Sequence, residues 1–166
     1  MSKLYVERIS VDAKLPVKAT TDAACYDLHA YLSGRTVKYW DVDANEESSH
    51  RLVSSAWILE SGERALIPTG LKMCCDPGYR IAIYPRSGLA VKQGLSLINC
   101  VGIIDSDYRD EVMIAVVNHS NCEIIINHGD RIAQFAIEPI LNIDTQVGTL
   151  PDTDSNRDGG FGSSGV

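Results

Sequence analysis

Seven short runs of strand-forming residues, each stopped by turn chemistry, restrict this chain to an all-β fold. The runs are 4–11, 64–68, 79–84, 95–101, 111–117, 122–126 and 132–140. Ser61-Gly62-Glu63, Asp76-Pro77-Gly78, Asn118-His119-Ser120-Asn121 and Asn127-His128-Gly129-Asp130 punctuate them. Short strands at such spacing build an antiparallel sandwich or barrel. Helix signals are scarce. Residues 87–93 make one or two helical turns, with Ser87 placed to act as N-cap and Gly94 just beyond the end.

At 166 residues the chain suits one domain, here a β body over 1–150 followed by a tail. The tail, 151–166, holds four Gly, three Ser and three Asp around a single large apolar residue, Phe161, and cannot pack a core. Segment 33–60 also stands apart. It carries the acidic run Asp41-Val42-Asp43-Ala44-Asn45-Glu46-Glu47, turns apolar at Ala56-Trp57-Ile58-Leu59, and reads as an elaborated loop or an extra hairpin. It is either a decoration or a partner-binding element, because Trp40 and Trp57 are the kind of aromatic that anchors interfaces.

Charge and composition narrow the function classes. A net charge of −7 argues against stable nucleic-acid binding but leaves room for a polyphosphate held by a local basic site or through Mg²⁺. No apolar run approaches the ~20 residues of a membrane span, and the N-terminus lacks the apolar centre of a signal peptide, so a cytoplasmic protein is expected. The five cysteines, Cys25, Cys74, Cys75, Cys100 and Cys122, are odd in number and show no Cys-x-x-Cys spacing. They read as small apolar residues in a reducing compartment, not as a disulfide framework or zinc site. The four histidines show no metal-ligand spacing.

Gly102-Ile103-Ile104-Asp105-Ser106-Asp107-Tyr108-Arg109-Asp110-Glu111 sets four carboxylates between two apolar runs. An unpaired carboxylate is costly to desolvate, so this stretch is either a turn reaching solvent or a site. Asp105, directly after two isoleucines, is expected to be partly buried, where it can hold and deprotonate a water. Tyr108 offers a flat face to a sugar or base, or is a rim aromatic. Tyr84-Pro85-Arg86-Ser87-Gly88-Leu89-Ala90 ends a strand and opens a helical turn beside an arginine, an arrangement suited to an anion. Gln134 interrupts an apolar strand and needs a partner. In the tail, Arg157, Phe161 and the glycines and serines about them have the makings of a phosphate cradle.

Taken in order, these stretches resemble the five motifs of the homotrimeric dUTP diphosphatases, the dUTPases. Ala23-Ala24-Cys25-Tyr26-Asp27-Leu28-His29-Ala30 is similar to the first, 85–90 to the second, 102–111 to the third, 129–134 to the fourth and 156–165 to the fifth. The resemblance implies a distorted jelly-roll or β-clip subunit with one short helix and a flexible tail, and a trimer with sites shared at its interfaces. It implies hydrolysis of dUTP to dUMP and pyrophosphate with Mg²⁺. Asp105 would orient and activate the attacking water. Asn99 and the backbone of Ile103 and Ile104 would read uracil in a tight β-hairpin, with the backbone of Met113 also at the base. Tyr108 would pack against the deoxyribose and exclude a 2′-hydroxyl. Arg86, Ser87, Gly88 and Gln134 would hold the phosphates, Gln134 coming from a neighbouring subunit, and Arg157, Phe161 and Gly162 would close over the nucleotide from another subunit. The Mg²⁺ would be carried by triphosphate and water with no direct protein ligand, leaving Asp27 at most behind the hydration shell.

Asp110 stands where the family usually has Gly, Cys25 where it often has Gly, and Asn156-Arg157 where it has Arg-Gly. Two other readings compete. One is a dCTP deaminase or a bifunctional deaminase–diphosphatase, which the Asn99…Asp105 stretch disfavours. The other is a nucleotide-dependent regulatory binding protein that contacts a partner through 33–60. A bacterial, phage (hence host) or eukaryotic cytoplasm is compatible with all three.

Overall fold

The structure, a computed structural model, describes residues 2–42 and 49–152. Among them are twelve strands and one short helix. Sheet one has the order β4-β3-β6-β10-β8, with β1 also paired to β6. Its strands are β1 (Leu4–Arg8), β3 (Arg35–Trp40), β4 (Ser49–Val53), β6 (Arg64–Cys75), β8 (Leu95–Leu97) and β10 (Glu111–Asn118). Sheet two has the order β2-β12-β7-β9, from β2 (Tyr26–His29), β12 (Arg131–Pro139), β7 (Tyr79–Pro85) and β9 (Gly102–Ile104). The pair β5 (Ala56–Leu59) and β11 (Ile124–Asn127) completes the body, and α1 (Ser87–Gln93) links β7 to β8. The pairings are antiparallel. One core joins the elements, with Leu28, Leu71, Ile81, Ile114 and Phe135 among its fully buried side chains.

Most of the expected runs become strands, with instructive changes at their ends. The first stops at Arg8, and the Ile9 N–H turns to the Gly70 carbonyl (2.8 Å). The run expected to end at Pro68 continues to Cys75 because a bulge absorbs the Pro and Gly: Met113 of β10 faces Pro68, whereas Glu111 faces Lys72. Gly70 sits in the bulge at φ +70°, and the Thr69 hydroxyl bonds the Val112 carbonyl (2.7 Å) in place of a ladder bond. The helix occupies its expected span, but Arg86 is the N-cap, without a side-chain cap bond, and Ser87 is the first helical residue. A strand running into the helix leaves its last extended residue, Arg86 (φ −91°, ψ 125°), in the cap position. Gly94 closes the helix in the left-handed region, as expected.

Segment 33–60 contains a hairpin, β3–β4, that is built into sheet one through β3 and β6. Its acidic tip, 43–48, lies outside the described residues. Trp57 of β5 is 1 % exposed, tilted against Tyr39 at 5.1 Å, with the Arg51 guanidinium 5.1 Å from each ring. Trp57 therefore anchors the segment to its own body and is not an exposed interface aromatic. An apolar ring following a hairpin finds its cheapest burial on the adjoining sheet.

Glu63, at the turn into β6, is buried. One oxygen accepts the Glu60 N–H (2.9 Å) and the other has no partner among the described residues. Burial pushes its carboxyl above the ordinary value, with the Asp41 charge adding to the effect. A raised folded-state value means the native state holds this proton more tightly than the unfolded chain. Stability then falls as pH rises through the interval between the unfolded and folded values. Glu63→Gln is expected to raise the melting temperature at pH above that interval, by about 1–3 kcal/mol of stability, and to give no gain below it, where Glu63 is neutral in both states. Thermal unfolding of both proteins across pH checks this.

Candidate active site

Sheet two gathers pieces of four of the sequence stretches singled out above. Gln134 of β12 lies directly between Asp27 of β2 and Tyr84 of β7. Residues directly opposed across antiparallel strands share a face, so the three form one row. The Gln134 amide donates to the Pro85 carbonyl (3.0 Å), the partner its place in an apolar strand demanded. Arg86 follows the end of β7. Its Nε meets one oxygen of Asp27 at 3.2 Å, Nη1 of Arg131 meets the other at 3.1 Å, and Arg86 Nη1 donates to the Arg131 carbonyl (3.0 Å).

Asp27 is only 7 % exposed, so two guanidiniums share a single shielded carboxylate and one positive charge is left over. The exposed Ser87 and Gly88 adjoin this cluster on the first turn of α1, and a Cβ on Gly88 would meet nothing within 4 Å. A cavity of about 370 Å³ opens beside Arg86 and Arg131. The two guanidiniums about Asp27 and the open backbone of α1 are donors of the kind that suit an anion, with Asp130 lining the same cavity. His29, next along β2, is pushed below its ordinary value by burial and by Lys14, so it stays neutral beside the cluster.

The third stretch reaches the opposite end of the sheet. β9 runs antiparallel to β7, with Gly102 facing Ile83 and Ile104 facing Ile81. Asp105 thus continues toward the level of Arg80, about 20 Å down β7 from Arg86 at strand rise. Asp105 is exposed, not partly buried as expected, because β9 is an edge strand that stops at the buried Ile104. Beyond it, the Tyr108 N–H bonds the Asp105 carbonyl (3.1 Å), the Tyr108 hydroxyl donates to the Glu111 carbonyl (3.0 Å), and Arg109 donates to the carbonyls of Ser106 and Tyr108. Burial, then the charges of Asp110 and Glu111, push the Tyr108 phenol up, so it remains a neutral donor. Arg109 therefore serves the turn. Asp110 is not in the left-handed region, where Cys100 (φ 60°) is the one non-glycine residue among those described, so its replacement of Gly strains nothing.

The turn 98–101 also departs from expectation. β8 pairs with β10 in sheet one and β9 with β7 in sheet two, so Asn99 sits at a corner between sheets, not on a laddered hairpin. Gly102 eases the corner: a Cβ there would press the Ile83 Cβ at 3.3 Å and lie in ordinary contact with the Asn99 amide at 3.5 Å. Ile103 is partly exposed, and Met113 lies in sheet one opposite Pro68. Arg86, Ser87, Gly88, Gln134 and Asp27 thus come together, while Asp105 and Tyr108 stand apart from them. Arg157, Phe161 and Gly162 lie outside the described residues. The role of Arg131 escaped the sequence reading, though an arginine opening a strand three residues before a constrained glutamine is a usable signal.

The family model for dUTPase matches residues 51–165. The chain belongs to the dUTPase family. A deoxyuridine 5'-triphosphate nucleotidohydrolase of Hydrogenobaculum sp. is 35 % identical over 99 % of both chains. Another, from Finegoldia magna, is 55 % identical over 62 % of this chain and 72 % of its own. Among solved structures, a mutant dUTPase of Staphylococcus bacteriophage 80alpha with dUpNHpp superposes with a TM-score of 0.75 at 24 % identity, covering 99 % of each chain. The dUTPase reaction, hydrolysis of dUTP to dUMP and pyrophosphate, is accordingly the activity of this family, and the deaminase and binding-protein readings are not favoured. No helix among the described residues is long and apolar enough to cross a membrane.

Proposed function

We propose that this dUTPase works as a homotrimer whose sites combine the Arg86 end of one copy with the Asp105 end of another. The carrying observation is the separation of the two ends of sheet two: a single dUTP cannot touch Arg86 and Asp105 of the same chain across about 20 Å of strand. Segment 140–150 adds support, because it leaves the body with Leu141 and Ile143 more than four-fifths exposed, as a surface awaiting a partner copy would.

In the shared site Arg86, Gln134 and the backbone at Ser87 and Gly88 hold the phosphates, with Asp27 setting the Arg86 plane. Asn99 and the backbone of Ile103, Ile104 and Met113 read uracil, where a wrong exocyclic group leaves polar atoms unpaired. Tyr108 packs against the deoxyribose. Asp105 takes a proton from a water whose oxygen attacks the α-phosphorus. The bond to the bridging oxygen of the β-phosphate breaks, and pyrophosphate leaves with the electron pair. Arg157, Phe161 and Gly162 close the site from the tail and exclude water. Mg²⁺ supplies charge neutralisation on the phosphates. Both Asp27 oxygens are engaged by arginines, so the ion would be carried by the triphosphate with Asp27 at most behind its hydration shell.

Subunit mixing tests the shared site. Asp105→Asn and Arg86→Ala proteins are each expected to be nearly inactive alone. Refolded together in equal amounts, they should regain roughly a quarter of wild-type pyrophosphate release by random assortment. No recovery in a confirmed mixed oligomer places both residues in one chain's site and overturns the proposal.

A further inference from the structure

We propose that Arg35, the first residue of the β3–β4 hairpin, is a positioning residue for dUTP hydrolysis that sets the loop carrying Asp105 and Tyr108. The inference rests on the reading that those two residues meet the substrate. It assigns a role in the reaction to a segment lying outside all five motifs.

Glu111 ends that loop and opens β10, and its carboxylate is gripped from two sides. The Arg35 guanidinium makes a two-pronged ion pair, Nη1 to Oε1 at 3.1 Å and Nη2 to Oε2, and the Gly70 N–H donates to Oε1 at 2.7 Å. The side chains are 25 % and 14 % exposed, so the pair is shielded well beyond an ordinary surface bridge. Arg35 is fixed in turn, its guanidinium 5.5 Å from the centre of the Tyr31 ring. The Gly70 N–H is free for this duty because the β6 bulge turns it out of the ladder.

From Glu111 the linkage runs straight to the reactive end. The Glu111 carbonyl accepts the Tyr108 hydroxyl at 3.0 Å, and the Tyr108 N–H bonds the Asp105 carbonyl at 3.1 Å. Asp105, Asp107, Arg109 and Asp110 are all exposed, so packing does little to hold this loop. Its shape depends on the bonds Arg109 makes within the turn, on Tyr108 and on where Glu111 is held. A planar fork fixes both position and rotation of a carboxylate, whereas a lysine supplies a point charge only. Misplacement of a catalytic group by about 1 Å can cost ~10²-fold in rate.

The test compares Arg35→Met, Arg35→Lys and Glu111→Gln with the parent enzyme, reading kcat and KM for dUTP and for UTP alongside the melting temperature. Arg35→Met is expected to lower kcat for dUTP about 10- to 100-fold and to narrow the preference for dUTP over UTP, since a loosened Tyr108 no longer excludes a 2′-hydroxyl. Glu111→Gln should do the same, and the double variant should add little. Arg35→Lys should fall between, and it decides the question if Arg35→Met does not fold. A purely structural arginine scales both substrates equally through the folded fraction, so an unchanged dUTP/UTP ratio in folded protein overturns the proposal. If Asp105→Asn retains turnover, the underlying reading fails instead, whatever Arg35 does.

Discussion

Asp105→Asn is expected to slow dUTP hydrolysis by about 10²–10⁴-fold, the usual worth of a positioned general base, while leaving nucleotide binding and folding intact. Asparagine keeps the size and one oxygen of the carboxylate but cannot accept the proton that the attacking water must lose. The residue is exposed at the end of an edge strand and packs no core, so the change in stability should stay within about 0.5 kcal/mol. Single-turnover pyrophosphate release, together with calorimetric binding of dUpNHpp, separates the two effects. Lost binding would move Asp105 from chemistry to substrate capture, and retained turnover would remove it from the base role.

The second large effect concerns stability. Gly70→Ala is expected to destabilise the protein by about 2–5 kcal/mol, the sum of a left-handed non-glycine residue and an overpacked core. Gly70 has φ +70°, and a Cβ there would stand 2.8 Å from the Ala13 Cβ and 2.8 Å from Cγ of Tyr31, both in the buried core. Neither neighbour is the free end of a flexible chain, so backbone must move. At roughly 2–4 °C per kcal/mol for a chain of this size, the melting temperature should fall by about 5–15 °C. Displacing Tyr31 also disturbs the ring beneath Arg35, so the surviving folded enzyme should turn over more slowly. A melting temperature within about 2 °C of the parent, by thermal unfolding, would show that the bulge yields more readily than its contacts indicate.

What could be read from the residues was local. Strand-forming runs and the turns between them marked the strands, Gly94 marked the helix end, and the lone amide of Gln134 announced a partner that proved to be the Pro85 carbonyl. The five stretches in order marked the family. Long-range geometry was not legible. Arg35 and Glu111 are 76 residues apart, and a charged pair at that separation leaves no periodic trace. The exposure of Asp105 depended on β9 being an edge strand, a property of strand order and not of the Ile-Ile-Asp sequence. Trp57 looked like an interface anchor because a sequence cannot tell which face of an inserted hairpin folds back on its own body.

The β6 bulge has one further consequence. Across it β6 takes four steps, from Pro68 to Lys72, where β10 takes two, from Met113 to Glu111. The surplus is even. Odd-numbered residues therefore face inward on both sides, Ala65 and Ile67 before the bulge, Met73 and Cys75 after it. A one-residue change that no further bulge absorbed would reverse that parity and turn Met73 and Cys75 to water while burying Lys72 and Cys74. A one-residue insertion or deletion at this point of the strand is therefore expected to cost more stability than a two-residue one.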